Sequence, residues 1–307
     1  MSRRTVGLGV LAIWLVGLAL LYRRSTFRSP DQAFAEAGMR VSPATFYYRL
    51  DQEAVQIGSA SSAIDTTTTQ LIATDFVRAA VRAGRDTFRI QARSQARFTR
   101  ALSLTDFILK AEGDLSPFLL RGVMQGERNS RKLQLITETP KHRPAGVEYD
   151  IDGLVFTPTV AAIPLMLRDP GKRGDALSIG IFDPMSRTVR KVNLKVGKDS
   201  LFMVTDSARL DSASGRWVKA HADTVRGWQV AGDAPTITAW VDASGRLISA
   251  SEPGGIALMR TAFEIAFENS RLETKPVPLT GRPSEKSADS AKKVGNARPM
   301  RAPTPRK

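Results

Sequence analysis

Apolar and polar side chains alternate along much of this chain, and this alternation strongly limits the folds that it can adopt. In residues 88–98, FRIQARSQARF, one face would carry Phe88, Ile90, Ala92, Ala96 and Phe98, while arginine and glutamine fill most of the intervening positions. A repeat of two residues is typical of a β-strand in an antiparallel sheet, with one buried and one solvated face. We interpret the arginines as a solvated face rather than as a surface that binds anions.

The same pattern, interrupted by turn signals, predicts strands over most of residues 45–251. Turns are indicated by Asp183-Pro184, Ser214-Gly215 and the run from Asp242 to Gly245. The segment 69–83 fits both helical and two-residue spacing, and we favour a strand there because threonines precede it. The other predicted strands are 45–50, 54–61, 118–125, 130–138, 147–156, 176–182, 187–196, 200–205, 215–230, 235–242 and 246–251.

A short helix is predicted before the first strand. Ser29 fits the N-cap, Pro30 the first helical position and Gln32 the capping-box position three residues after the cap. The helix is expected to run to about Ala37 and to end at Gly38. A spacer that happens to cap well is the alternative interpretation.

Two further helices are predicted within the body of the chain. Residues 159–167, TVAAIPLML, form a short apolar segment interrupted by a proline. Residues 257–268, ALMRTAFEIAFE, place Leu258, Ala262 and Ile265 on one stripe. Both are interpreted as core packing over the sheet, and a helix on a curved sheet could also line a ligand cleft.

An uncharged apolar run extends from Val6 to Tyr22, between two pairs of arginines. A helix of this length would span about 26 Å, which approaches the hydrocarbon core of a bilayer at about 30 Å. We therefore predict a membrane-inserting segment over 1–28. The residues after the run do not form a typical A-x-A cleavage site, which favours a retained signal-anchor over a cleaved signal.

The orientation of this anchor is predicted from its flanks. Basic residues are nearly balanced between the two sides, so the lysine and arginine bias alone does not decide the orientation. The short leading tail favours a cytoplasmic amino terminus. We expect a single-pass inner-membrane protein whose body lies outside the cytoplasm, in the periplasm.

The net charge of +15 is carried mostly by the two ends of the chain. Residues 1–30 contribute +5 and residues 271–307 contribute +7, which leaves +3 for the body. A nucleic-acid-binding domain should concentrate basic charge on its folded part, so we do not expect a nucleic-acid partner. The proline-rich basic segment 271–307 is predicted to be disordered.

The chain offers few residues for catalysis or metal binding. It contains no cysteine, which excludes disulfides, cysteine-ligated metals and thiol nucleophiles. Its two histidines are His142, in a basic loop, and His221, which shares a strand face with Asp223. A serine nucleophile could use that pair, but G-x-S-x-G is absent, and we interpret both histidines as structural or exposed. We predict no catalytic, metal or cofactor site and no cofactor.

The stretch 239–252, AWVDASGRLISASE, predicts a hairpin whose loop is Asp242 to Gly245. Together with 47–60, YYRLDQEAVQIGSA, it resembles bacterial envelope β-domains of unknown function that form a curved antiparallel sheet or half-barrel. That type is similar in shape to the carriers that hold lipoprotein acyl chains. The resemblance covers residues 45–268 and implies an apolar concave face. Small residues in the strands leave room for a cavity there: Gly58, Ala60, Ala92, Ala96, Ala220 and Ala222.

These observations predict a mainly β protein of the α+β kind with four segments. They are a signal-anchor at 1–28, a juxtamembrane spacer at 29–44, a β-rich extracytoplasmic domain at 45–270 and a disordered tail at 271–307. The predicted fold is a curved antiparallel sheet or half-barrel with one or two short helices.

The expected function is non-enzymatic. We predict an envelope binding or carrier module for a lipid or another apolar ligand, which contacts membrane lipid through its anchor. An envelope scaffold or assembly protein is the alternative, with Phe88, Ile90, Leu258 and Phe263 as candidates to fill the concave face. A hydrolase that uses two carboxylates is a third hypothesis. The residues that would bind the ligand are unknown from the sequence.

Overall fold

A computed structural model describes Trp14 and residues 30–114, 116–126, 130–140, 142–168, 174–183, 186–233, 238–251 and 255–268. All of these residues belong to one compact unit, residues 1–271. The predicted disordered tail lies outside them, as does Ser29 of the capping box. The predicted anchor also lies outside them, apart from Trp14. Within these ranges, no helix is both long and apolar enough to cross a bilayer.

Fifteen strands form one sheet in the described part of the chain. Their order is β8-β7-β6-β5-β4-β3-β2-β1-β15-β14-β13-β12-β11-β10-β9. The strands are β1 Ala44–Gln52, β2 Val55–Thr66, β3 Gln70–Ala83, β4 Asp86–Thr99, β5 Leu104–Gly113, β6 Phe118–Gln125, β7 Arg131–Thr139, β8 His142–Ile151, β9 Val155–Phe156, β10 Ala176–Asp183, β11 Thr188–Leu210, β12 Trp217–Ala231, β13 Thr238–Val241, β14 Leu247–Ser251 and β15 Ile256–Thr261.

The sheet must curl into a nearly closed barrel, because its two outermost strands follow each other in the chain. β8 ends at Ile151 and β9 begins at Val155. Four Cα–Cα steps reach at most about 15 Å. A flat sheet of fifteen strands would separate its edges by about 67 Å, at about 4.8 Å per strand. The predicted mainly β fold and curved sheet are thereby confirmed.

Neighbouring strands are antiparallel except for β9 and β10, which pair in parallel. A parallel pair needs a crossover connection, and this one contains helix α2, Ile163–Arg168. Ile163, Leu165 and Met166 are almost completely buried, as is typical of a helix surrounded by protein. We call residues 157–168 the plug, because they pack into one end of the barrel. This segment agrees with the helix predicted at 159–167.

Helix α1, Pro30–Arg40, packs against α2. Its residues Phe34 and Ala37, with Val41 just beyond it, belong to the main core cluster. The prediction that this helix ends at Gly38 is wrong. Gly38 is instead a site of close packing between α1 and the backbone of Arg100. A Cβ at Gly38 would overlap the carbonyl oxygen of Arg100. This glycine therefore serves packing rather than helix termination.

The structure also corrects the helix predicted at 257–268. Residues 256–261 form β15, which fills the gap between β1 and β14, and only Phe263–Ala266 are helical, as α3. Leu258 pairs with Leu50 on β1. A short apolar run does not distinguish helix from strand by periodicity, and here the pairing with two strands decides.

Three strand predictions need correction as well. The predicted strand 147–156 is divided between β8 and β9, at opposite edges of the sheet. The predicted strands 187–196 and 200–205 are parts of the single long strand β11. No strand was predicted at β5, although Phe107, Leu109 and Ala111 alternate there with polar or exposed residues. The strand favoured at 69–83 is confirmed as β3.

Candidate functional site

An internal cavity of about 490 Å³ lies within the barrel, and it is the candidate functional site. The apolar face predicted for β4 points into the barrel, so the alternation of that strand is confirmed. The main apolar residues of the cavity wall are Phe46, Val77, Ile90, Leu109, Phe118 and Leu258.

Strand register explains why this space is empty of protein atoms. One cross-strand row runs over β2–β6 through Ala60, Val77, Ala92, Ala111 and Phe118. All five residues line the cavity. Three of the five are alanines, whose small side chains leave the centre of the row unfilled. The cavity therefore follows directly from residue size at paired positions.

The cavity has an exposed end and a buried end. Glu112 and Ser116 line it and are exposed, and we call their end the mouth. Ala96, Phe107 and Phe182 line it and are each at most 3% exposed. We call this second end, which abuts Thr157–Thr159 of the plug, the inner end. A ligand would therefore enter past the mouth and reach the plug.

Asp75 is a carboxylic acid in the cavity wall near the inner end. Thr159 Oγ1 donates a hydrogen bond to Asp75 Oδ2 at 2.8 Å, and Ser94 Oγ donates to the same oxygen at 3.3 Å. Ser62 forms a further side-chain hydrogen bond. Asp75 Oδ1 is buried and has no hydrogen-bond partner among the described residues. Burial raises the pKa of Asp75, because the ionised form is deprived of water.

The β13–β14 turn places an arginine at the inner end. Asp242 Oδ1 accepts hydrogen bonds from the backbone N–H groups of Ser244 and Arg246, at 2.9 and 3.0 Å. Gly245 has φ +75°, and a Cβ at this position would lie 2.6 Å from Ile163 Cα in the plug. The turn is thus fitted tightly against α2, and Arg246, the next residue, lines the cavity.

The ionisable side chains of Arg260 and Tyr48, which also lie around this turn, already have hydrogen-bond partners. Arg260 Nη2 donates to Asp242 Oδ2 at 3.0 Å, and its guanidinium lies 3.9 Å from the ring centroid of Phe46. Tyr48 donates from its hydroxyl to the carbonyl oxygen of Leu247 at 3.3 Å. Burial raises the pKa of Tyr48 to about 12, so the phenol is neutral at physiological pH.

Arg246 itself is only 6% exposed. Its Nη2 donates to the backbone carbonyl oxygen of Ser42 at 2.8 Å. Among the described residues, no carboxylate lies within 4.0 Å of its guanidinium nitrogens. Burial lowers the pKa of Arg246. Arginine nevertheless stays protonated at neutral pH, so a positive charge is present at the inner end.

The two carboxylates that line the cavity do not form a facing pair. Asp75 is near the inner end, while Glu112 is at the mouth and forms an ion pair with Lys110. The two-carboxylate hydrolase hypothesis needs both groups on either side of one scissile bond. This arrangement gives that hypothesis no support.

His221 is exposed, on the long β11–β12 ribbon. Its Nδ1 lies 2.8 Å from Asp206 Oδ2 and 4.0 Å from Asp223 Oδ1. The hydrogen bond with Asp206 raises the pKa of His221. The ligand atoms of these three side chains lie within 4.8 Å of one another, but all three are exposed, and an ion pair between His221 and Asp206 accounts for their geometry. The side chain of His142 lies outside the described part of the chain.

Some of the lining residues were predicted from the sequence. Ala60, Ala92 and Ala96 line the cavity, as expected from their size, whereas Gly58, Ala220 and Ala222, for which the same was expected, do not line it. Ile90 and Leu258 were candidates to fill the concave face, and they line the space instead. Phe263 was assigned to the same face and does not line the cavity, since its ring packs against Tyr47 at 5.0 Å. Phe88 does not line the cavity.

The polar residues of the site were not predicted. Asp75 occupies an inward position of β3, between Ala73 and Val77 in the apolar alternation. An acidic residue on an apolar strand face is a usable signal, because buried carboxyl groups are rare. The ambiguity between helix and strand at 69–83 concealed it.

No protein-family model matches the chain, and no curated protein matches it. Among solved structures, the chain is similar to a β-barrel-like protein of Domain of Unknown Function DUF1849 from Brucella abortus, at 12% identity and a TM-score of 0.45. The match covers 72% of this chain and 96% of that one. A DUF1089 family protein from Pseudomonas aeruginosa matches at 13% identity and a TM-score of 0.36, over 64% of this chain and 90% of that one. Neither description names a lipoprotein carrier.

Proposed function

We propose that this chain is a binding module that takes up an apolar small molecule, such as a lipid chain, inside its barrel. The observation that carries the proposal is the internal cavity of about 490 Å³. Ligand pockets in proteins are typically about 300–1,000 Å³ and mostly apolar, with a few convergent polar groups. The row of alanines on β2–β5 keeps that space open.

The cavity also favours a binding module over the scaffold alternative. A scaffold has no use for unfilled interior volume, and a cavity lowers stability by removing packing contacts. Here, Ile90 and Leu258 line the cavity without filling it. An unfilled apolar interior with a mouth and a polar inner end is the arrangement that a ligand requires.

The test uses the full chain and a neutral apolar dye, N-phenyl-1-naphthylamine. We expect saturable dye binding with one equivalent per chain and displacement of the dye by dodecanol. Dodecanol is a fair probe because it is uncharged and brings mainly methylene groups to the wall. A protein that binds no dye, or a dye signal that does not saturate, would contradict the proposal and favour the scaffold.

We further propose that the barrel is held at the inner membrane by residues 1–28 and faces the periplasm. The uncharged run Val6–Tyr22 and its flanking arginines support this proposal. Alkaline phosphatase fused after residue 270 should be active in a bacterial host, whereas β-galactosidase at the same point should not. The opposite pair of results would reverse the orientation.

A further inference from the structure

The geometry of the inner end points to a ligand with an acidic head group, a carboxylate or a phosphate monoester, that pairs with Arg246 while its apolar tail extends towards the mouth. This inference rests on the proposed function and specifies the ligand class of the same cavity.

Arg246 is a buried cation without a carboxylate partner among the described residues. This side chain is 6% exposed, lines the cavity and has a backbone carbonyl oxygen as its hydrogen-bond acceptor. No carboxylate within the described ranges lies at ion-pair distance from it. A buried charge is costly unless it is paired. A guanidinium also presents several N–H donors in a fork that matches carboxylate and phosphate oxygens.

The nearby acid Asp242 is already used by other groups. Asp242 accepts two backbone N–H groups on Oδ1 and Arg260 on Oδ2. Among the described residues it forms no ion pair with the guanidinium of Arg246, which remains as a positive charge beside the cavity. An anionic head group would balance this charge, and a cationic head group would be repelled by it.

Asp75, the other acid near the inner end, has its own partners. Its Oδ2 accepts hydrogen bonds from Ser94 and Thr159, and its Oδ1 is shielded from solvent. Burial raises the pKa of this carboxyl group, because it disfavours the charged form. Among the described residues no ion pair joins Asp75 to Arg246, so Asp75 leaves the guanidinium available to an acidic head group.

The orientation follows from the position of Arg246 at the inner end. Glu112 at the mouth is exposed and already paired with Lys110, so its charge does not set the orientation. Apolar residues lie between the mouth and the inner end, among them Ile90, Ala92 and Leu109. The head group therefore lies against Arg246, and the tail extends past the alanines of the cross-strand row towards the mouth.

The experiment compares four compounds that each carry one twelve-carbon chain, in dye displacement from the full chain at pH 7.5. Dodecanoate and dodecyl phosphate carry the proposed head groups, dodecanol is neutral, and dodecyltrimethylammonium is cationic. We expect each anion to bind at least about tenfold more tightly than dodecanol, as a charge-assisted hydrogen bond implies. Preference for only one anion would identify which head group the site takes.

Substitutions then test whether Arg246 is the residue that causes the preference for anionic head groups. Arg246→Met should abolish the preference for the anions and leave dodecanol binding intact, and Arg246→Lys should restore part of it. Arg93→Met is the matched control, because Arg93 is an exposed residue on β4, a strand that lines the cavity. It should leave the preference unchanged.

The outcomes separate this inference from the proposed function. Equal affinity for dodecanol and both anions, or preference for the cation, would overturn the inference while the binding module stands. A wild-type protein that binds no dye and none of the four compounds would overturn the proposed function itself. The comparison of head groups on the wild-type protein decides the inference even if Arg246→Met does not fold.

Discussion

Ile151 and Val155 belong to the two outermost strands of the fifteen-stranded sheet, yet only three residues separate them in the chain. This short connection brings the edges of the sheet together. β8 and β9 are not paired with each other, so the barrel is nearly closed rather than complete. The enclosed interior is divided between the plug and the cavity, and the division makes a binding site possible.

Filling the cavity should abolish ligand binding without unfolding the protein. Ala92 lines the middle of the cavity, and Ala92→Trp would occupy space that the ligand needs. We expect dye affinity to fall at least about tenfold, measured by fluorescence titration. Gln91→Trp is the matched control, because Gln91 is exposed and points away from the interior. Equal loss in both variants would mean that the effect is not steric.

Affinity should depend on the length of the apolar tail. Each methylene group that leaves water contributes about 0.8 kcal/mol, which corresponds to about fourfold in Kd. In a series of n-alkanols from octanol upwards, we expect Kd to fall by about this factor per carbon until the chain fills the cavity. The gain should then stop. A series without any dependence on length would place binding outside the cavity.

Gly245 should be harder to replace than Gly215, another turn glycine with a positive φ. Gly245→Ala combines a left-handed backbone, φ +75°, with a Cβ only 2.6 Å from Ile163 Cα. Gly215→Ala is the control, because its φ is +66° but nothing lies within 4 Å of the added Cβ. We expect the control to cost about 1–2 kcal/mol and Gly245→Ala about 1–3 kcal/mol more in unfolding free energy, measured by urea denaturation. Equal costs would show that the turn does not press on the plug.

Asp75 should make the stability of the barrel depend on pH. Because its folded pKa is raised above the ordinary value of 3.8, the folded state holds the proton more tightly than the unfolded chain. Stability should therefore fall as pH rises from about 3.8 through the raised pKa. Asp75→Asn should flatten this part of the curve of melting temperature against pH. Asp65→Asn, at an exposed position, should not. An unchanged slope in Asp75→Asn would assign the pH dependence to other groups.

Much of the fold could be predicted because its local signals are strong. The alternation in β4 gave both the strand and its inward face, and the turn from Asp242 to Gly245 was predicted from its residues. The closure of the barrel could not be predicted, because it depends on which strands become the edges. That choice links residues far apart in the chain, and local periodicity carries no information about it.

The polar residues of the inner end could not be predicted from the sequence for a related reason. Arg246 follows a predicted turn, but its place in the cavity depends on the fit between Gly245 and Ile163, more than eighty positions apart. Asp75 lies in the segment 69–83, where helical and two-residue spacing both fit, and the pairing of β3 with β2 and β4 fixes its inward position. Side-chain size was more informative, since alanines at inward strand positions indicate unfilled space.

Identification of the compound that the barrel holds would test the proposed binding function directly. The full chain and its Ala92→Trp variant would be purified in parallel from the native host, denatured and extracted, and the extracts compared by mass spectrometry. If the barrel is a binding module, we expect about one equivalent of an apolar compound per wild-type chain and far less in the variant. Equal amounts in both proteins, or none in a wild-type protein that also binds no dye, would contradict it.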